Sequence, residues 1–400
     1  MTSIPPEIRT ESGSLPTQSA TAEPPFGVNE VRLSPRQWLV TLAIVVASAA
    51  AVPRLWKKAE AFPTGPNYRI PYALSSDYWL YQRRLEQDVG PGNILVLGDS
   101  VVWGEYVRPD GTLSHYLNQQ GGAADRFLNC GVNGLFPLAM EGLVTDYGPA
   151  IRGRKVIVHC NLLWLTSPKA DLSAAQQQSF NHSQLVPQFV PRVPSYRADA
   201  NTRISATLAR HVDYLAWTEH LQNAYYGQRS VSQWTLAEDG SDPPAHPNAW
   251  RNPVAPLRSG IPQEPTRDPD RGPESRRHKR WDAGGAEPAH FDWVDLESSL
   301  QWAGFRRVIR VLGSRGNDVF VVVGPFNEHM IAVDQRPKYR ALRDGIAAWL
   351  KSNHIPVVTP EALPTEFYAD ASHPLTEGYA LLSRKLFAEP SFRVWVSTVP

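Results

Sequence analysis

The sequence predicts an α/β fold built on a parallel sheet. Two observations carry this reading. From Asn93 onward, short apolar runs alternate with segments of helical period, and polar motifs rich in Gly, Asn, Asp and Ser fall directly after several of those runs. The expected strands are 94–97, 127–129, 156–159, 319–323 and 356–358. Between them, Trp302, Phe305, Ile309 and Leu312 recur at helical spacing, as do Leu342, Ile346, Trp349 and Leu350, so each helix offers one apolar face to a sheet. A last helix is expected over 376–387.

Composition narrows the function classes. With 40 Lys+Arg against 39 Asp+Glu the net charge is +1, which removes the global attraction of a dedicated nucleic-acid binder. The hydrophobic share of 42% and charged share of 20% exclude both a polytopic membrane protein and a wholly disordered chain. Two cysteines leave no room for a zinc-type cysteine array, and neither a phosphate-cradling Gly-Lys-Ser/Thr loop nor a His-Glu-x-x-His helix is present, so no metal or cofactor is implied. The 36 prolines are about twice the usual share and imply long irregular stretches. The 13 tryptophans suit either sugar-like and apolar ligands or an aromatic core.

Residues 1–35 are rich in Pro, Ser, Thr and Glu and hold few bulky apolar side chains, which predicts a disordered tail. Segment 36–58 follows, with an uncharged run over 38–52 set between Arg32 and Arg36 on one side and Arg54, Lys57 and Lys58 on the other. The run is short for a span of roughly 18 residues or more, but Trp38 and Trp56 at the two interfaces would stretch it, giving membrane contact through 38–56. A signal peptide with the small-residue site Ala47-Ser48-Ala49 and a buried core helix are the alternatives. Anchor and signal both place the remainder outside the cytoplasm, membrane-anchored or secreted. Basic residues flank both sides of the run, so charge bias leaves topology open.

The α/β pattern occupies 75–165 and 291–395, and 166–290 is an insertion far longer than a crossover needs. One amphipathic helix is expected within it, with Ile204, Leu208, Val212 and Leu215 on its inner face, whereas 241–280 is dense in Pro, Arg and Asp and reads as disordered or lid-like. The basic cluster Arg276, Arg277, His278, Lys279 and Arg280 reads as a solvated loop, and Asn181-His182-Ser183 matches a glycosylation acceptor pattern.

Three motifs carry chemistry. Gly98-Asp99-Ser100, followed by Gly104, comes directly after the first strand; a serine there sits at the carboxyl edge of a parallel sheet, beside the N–H groups of a helix start. Asp370-Ala371-Ser372-His373-Pro374 precedes the last helix. A serine hydroxyl needs a histidine to take its proton, and the histidine needs a carboxylate to fix its tautomer, which Asp370 and His373 can supply. Asn129-Cys130-Gly131-Val132-Asn133-Gly134 follows the second strand and Asn161 the third; glycine N–H groups and an asparagine amide are the donors that hold an acyl-transfer oxyanion. Trp103, Trp164, Asn327 and His329 also follow strands or motifs and are candidate substrate-lining residues, with core packing or a polar loop as the plain alternative.

With these blocks in order, the chain resembles the SGNH hydrolases, or GDSL-type esterases. Ser100 matches the nucleophile block, Gly134 the second block, and Asp370 and His373 the last; His159-Cys160-Asn161-Leu162 lacks the glycine and final aspartate of the third. The resemblance implies a three-layer flavodoxin-like fold with a central five-stranded parallel sheet in the order 2-1-3-4-5. It implies Ser100, His373 and Asp370 as a triad and Ser100, Gly134 and Asn161 as the oxyanion hole. The expected activity is hydrolysis of a small-molecule or polysaccharide acyl ester, with acyl transfer to an exported polysaccharide as a variant. A non-catalytic membrane-anchored binding or assembly protein is the alternative class. In that strand order Cys130 and Cys160 stand two strand spacings apart, about 10 Å, beyond disulfide reach, so both are expected to be free thiols.

Overall fold

A computed structural model of the chain describes residues 33–62, 64–65, 67–88, 90, 92–225, 261 and 279–398. The expected disordered tail lies outside them up to residue 32. Most of 241–280 also lies outside, including Arg276, Arg277 and His278. The chain forms two compact units, 1–48 and 49–400.

Helix α1 (Pro35–Ala59) contains the uncharged run and ends on Lys57 and Lys58, which complement the negative end of its dipole. It is long and apolar enough to cross a membrane, with mean hydropathy 1.8 over 18 residues, and residues 34–48 are exposed. Trp56, predicted at a membrane interface, packs edge-on against Trp217 and Tyr225 with ring centroids 5.8 Å from each.

The second unit is organised by five parallel strands, β1 (Ile94–Gly98), β2 (Phe127–Gly131), β3 (Lys155–Cys160), β4 (Asp318–Val323) and β5 (Val357–Val358), in the order β2-β1-β3-β4-β5. All five expected strands are present. β1 and β3 are buried along their whole length, as strands covered on both faces must be. Leu95, Leu97, Val156, Val158 and Val321 join a core with α2 (Tyr78–Asp88) and α5 (Pro137–Gly142), whereas Ile94, Val96, Ile157, Phe320 and Val322 face a second core with α4 (Leu113–Gly121). The first core also takes α9 (Leu300–Ser314) and α10 (Arg336–Ser352); the second takes α11 (Thr376–Ala388) and α12 (Pro390–Ser397).

Helix α9 starts where the Ser299 hydroxyl accepts the Trp302 N–H at 3.0 Å, and it buries all four apolar residues expected of it. In α10, Trp349 is only half-buried, set edge-on to Trp302 at 5.2 Å. Helix α12 was not expected; Pro390 starts it, and Phe392 and Trp395 cover Phe320.

The insertion departs most from expectation. After α6 (Pro168–Asp171), its described residues form two helices, α7 (Ala200–His211) and α8 (Asp213–Tyr225), where one was expected. Of the expected inner face, Ile204, Leu208 and Val212 are 48, 47 and 38% exposed and Leu215 is half-buried. The reason is polar: the irregular stretch beneath α7 has carbonyls that need donors, and the helix turns its guanidinium face to them. Arg203 donates to Ala198 O and Tyr196 O at 3.0 Å each, and Arg210 to Gln184 O at 2.9 Å. Helix α8 buries His220, whose Nδ1 lies 2.7 Å from Asp77 Oδ2 and whose Nε2 lies 2.9 Å from Glu60 Oε1. Glu60 also accepts from Arg83 and Tyr225. Burial opposes a charge on His220, but the two carboxylates outweigh it and raise its pKa to about 9.

Candidate active site

The carboxyl ends of parallel strands lie along one edge of the sheet, and the motif residues gather there. After β1 the chain turns at Asp99 into the single turn α3 (Ser100–Trp103). Asp99 is fully buried and accepts the Val101 N–H at 3.0 Å, capping that turn. Its other oxygen accepts from the Asn161 amide at 2.7 Å and the Trp164 indole at 3.1 Å. Burial opposes its ionisation, yet His159, His373 and the Asn161 amide hold its pKa below the usual value.

So short a helix leaves carbonyls unpaired, and three side chains take them. Tyr379 donates to Val101 O at 2.7 Å, and Asn129 to Val102 O at 2.9 Å. Arg69, stacked 3.9 Å over the Trp103 ring, donates to Trp103 O at 3.0 Å and Val107 O at 2.8 Å. The serine is thereby held on a rigid platform. The approach of Gly131 is close: a Cβ there would lie 2.4 Å from Trp103 N.

On that platform Ser100 Oγ lies 2.7 Å from His373 Nε2, and His373 Nδ1 lies 2.8 Å from both oxygens of Asp370. A nitrogen facing a carboxylate carries its proton, so the neutral imidazole presents a bare Nε2 to the serine hydroxyl. Asp370 also accepts the backbone N–H groups of Ser372 and His373, each at 2.9 Å. These bonds and the His373 charge outweigh burial and lower its pKa. For His373, burial disfavours the imidazolium, but Asp370, Asp99 and Glu105 together raise its pKa. Glu105 was not anticipated; its Oε2 lies 3.4 Å from His373 Nε2. Tyr106, at φ 67°, sets its ring edge-on to His373 at 5.3 Å.

The expected oxyanion donors are in place to different degrees. Neither Ser100 N–H nor Gly134 N–H donates to a described protein group. Gly134 has φ 71°, which favours glycine, and a Cβ there would come within 2.3 Å of Asn181 Nδ2 and displace that side chain. The Asn161 amide gives one N–H to Asp99, and its oxygen accepts the Leu163 N–H at 2.9 Å; the second amide N–H is left over. The turn bearing Gly134 is braced by His182, whose Nε2 lies 2.7 Å from Asn133 O and whose Nδ1 lies 2.9 Å from Tyr78 Oη.

The four candidate lining residues are each held by polar or aromatic contacts. Trp103 is buried, its indole N–H donated to Ile70 O at 2.7 Å, and Trp164 is buried between Phe136 and Phe305. Asn327, fully buried, donates its amide to Asp370 O at 3.1 Å and so supports the aspartate loop. His329 Nε2 pairs with Leu363 O at 3.0 Å. Each satisfies a buried backbone or carboxylate group. Arg280 of the basic cluster pairs with Asp282. Cys130 and Cys160 are free and buried, as expected. Among the described residues no group of three or more His, Cys, Asp or Glu is placed to hold a metal ion. No protein-family model matches the chain, and no curated protein matches it significantly.

Proposed function

We propose that the protein is a serine ester hydrolase of the SGNH type, with a flavodoxin-like three-layer domain held at a membrane by α1 and acting outside the cytoplasm. The observation that carries this reading is the unbroken hydrogen-bond series from Ser100 through His373 to Asp370. Ser100 Oγ attacks the acyl carbonyl carbon while its proton passes to His373 Nε2. The oxyanion is held by the N–H groups of Ser100 and Gly134 and the remaining Asn161 amide N–H. Collapse breaks the bond to the alkoxy group, which leaves as the alcohol with the proton from His373. Water, deprotonated by His373, then releases the acyl group as a carboxylic acid and restores Ser100. Asp370 keeps the tautomer and stabilises the imidazolium throughout.

The experiment is labelling of the full chain in detergent with a small fluorophosphonate. Labelling lost in both Ser100→Ala and His373→Ala is expected. A folded wild-type chain that does not label overturns the reading and leaves the binding-protein class in its place.

A further inference from the structure

A cavity of about 300 Å³ opens beside Gly134, the glycine whose N–H faces the reacting carbonyl in the proposed mechanism. One wall comes from the turn after β2 and from α5, through Phe136 and Ala139. The opposite wall belongs to the insertion, through Leu172, Phe180 and Val186. Polar groups in this lining are already committed. Gln301 Oε1 accepts the Leu138 N–H at 3.0 Å while its amide donates to Ala170 O at 3.3 Å, and Ser167 Oγ accepts the Ala170 N–H at 3.2 Å. Lys169, Ser179 and Asn181 are exposed to solvent, whereas Ala139, Leu172 and Val186 are buried. The interior therefore offers apolar contact and no unpaired buried polar group to a ligand, which fits a hydrocarbon and not a sugar.

Resting on the ester-hydrolase reading, we infer that this cavity receives the acyl chain of the substrate and that the insertion sets its length. A chain packed at interior density fills roughly 25–30 Å³ per methylene, so the cavity takes an unbranched acyl group of up to about ten carbons. An acetyl group leaves it almost empty. The alcohol side of the ester then lies on the open side, toward Glu105 and Tyr106, both partly exposed.

The test is a series of p-nitrophenyl esters from acetate to palmitate, read as kcat/KM on the full chain in detergent, with fluorophosphonate labelling run in parallel. Each methylene that fully leaves water is worth about a fourfold gain. The expected profile rises at least about tenfold from acetate to hexanoate or octanoate and falls at palmitate. Ala170→Phe, on a half-buried position in the lining, fills the cavity; it is expected to reverse the preference toward acetate while Ser100 still labels. Phe180→Ala enlarges the cavity and moves the optimum to longer chains. Intact labelling with a flat profile, or with both variants leaving the profile unchanged, overturns the acyl pocket alone. Loss of wild-type labelling overturns the hydrolase reading and the cavity's role with it.

Discussion

Ser100 and His373 stand 273 positions apart in the chain, yet Ser100 Oγ and His373 Nε2 are 2.7 Å apart. The approach is built by elements on both sides of the sheet edge. Tyr379, one turn into α11, donates to Val101 O in the serine's own turn, and Asn327 after β4 holds the carbonyl of Asp370. Tyr368 and Pro374 form an antiparallel bridge that closes the loop carrying the aspartate and histidine.

Removing the nucleophile or the base is expected to stop the chemistry without unfolding the chain. We predict that Ser100→Ala and His373→Ala each lower kcat for a hexanoate ester by roughly 10⁴-fold or more, and that the double variant loses little further, because the two act as one unit. Full additivity would show that they act separately.

The base must be neutral to take the serine proton, and its pKa is raised above the ordinary 6.5. Activity is therefore expected to fall on acidification with a midpoint above pH 6.5. Glu105→Gln removes one of the carboxylates that raise it, so the midpoint in kcat/KM moves to lower pH. A shift to higher pH would exclude the assigned electrostatic role of Glu105.

Gly134→Ala meets both constraints at once, the positive φ and the contact with Asn181 Nδ2. Stability is expected to fall by about 1 kcal/mol or more from the backbone term, and kcat further, because the turn must move away from the oxyanion. Adding Asn181→Ala should relieve the clash and leave the backbone term, which denaturant melts of the single and double variants separate.

His220 gives the second unit a pH-dependent stability. Its pKa of about 9 in the fold exceeds that of an unfolded histidine, so its contribution is complete below about pH 6.5 and is lost as pH rises through 9. The loss is on the order of 3 kcal/mol, several degrees in Tm. Glu219 acts in the same direction between pH 4.5 and 7, since burial and then Asp77 push its pKa up to about 7. His220→Gln should flatten the upper part of the curve while lowering stability throughout, because Glu60 and Asp77 lose their shared partner. A Tm independent of pH from 6.5 to 9 in the wild type would contradict this account.

Both cysteines end strands that flank β1, and both are buried. Alkylation is expected to add nothing to the folded chain and two adducts to the unfolded chain without reductant, read by intact mass.

The sheet was legible because its strands carry an unusually plain signal. A strand covered on both faces must be apolar at every position, and 94–97 and 156–159 are short runs that no helix of the same length would explain among Gly- and Asn-rich turns. The two helices after the insertion were equally plain, since Trp302, Phe305, Ile309 and Leu312 repeat at the helical period.

What the sequence by itself determined is where Ser100, Gly134, Asp370 and His373 stand in the chain order, the first two just after strands and the last two just before a helix. Only the tertiary structure decided the partners of polar groups. Asn161 turns to Asp99, Asn327 to the Asp370 carbonyl, Trp103 to Ile70 and His329 to Leu363, across separations no local pattern encodes. The same holds for α7, whose aliphatic stripe faces water because Arg203 and Arg210 answer carbonyls beneath it. Apolar burial is set by a residue's own chemistry, whereas a hydrogen bond depends on which donor the fold brings within about 3 Å of which acceptor.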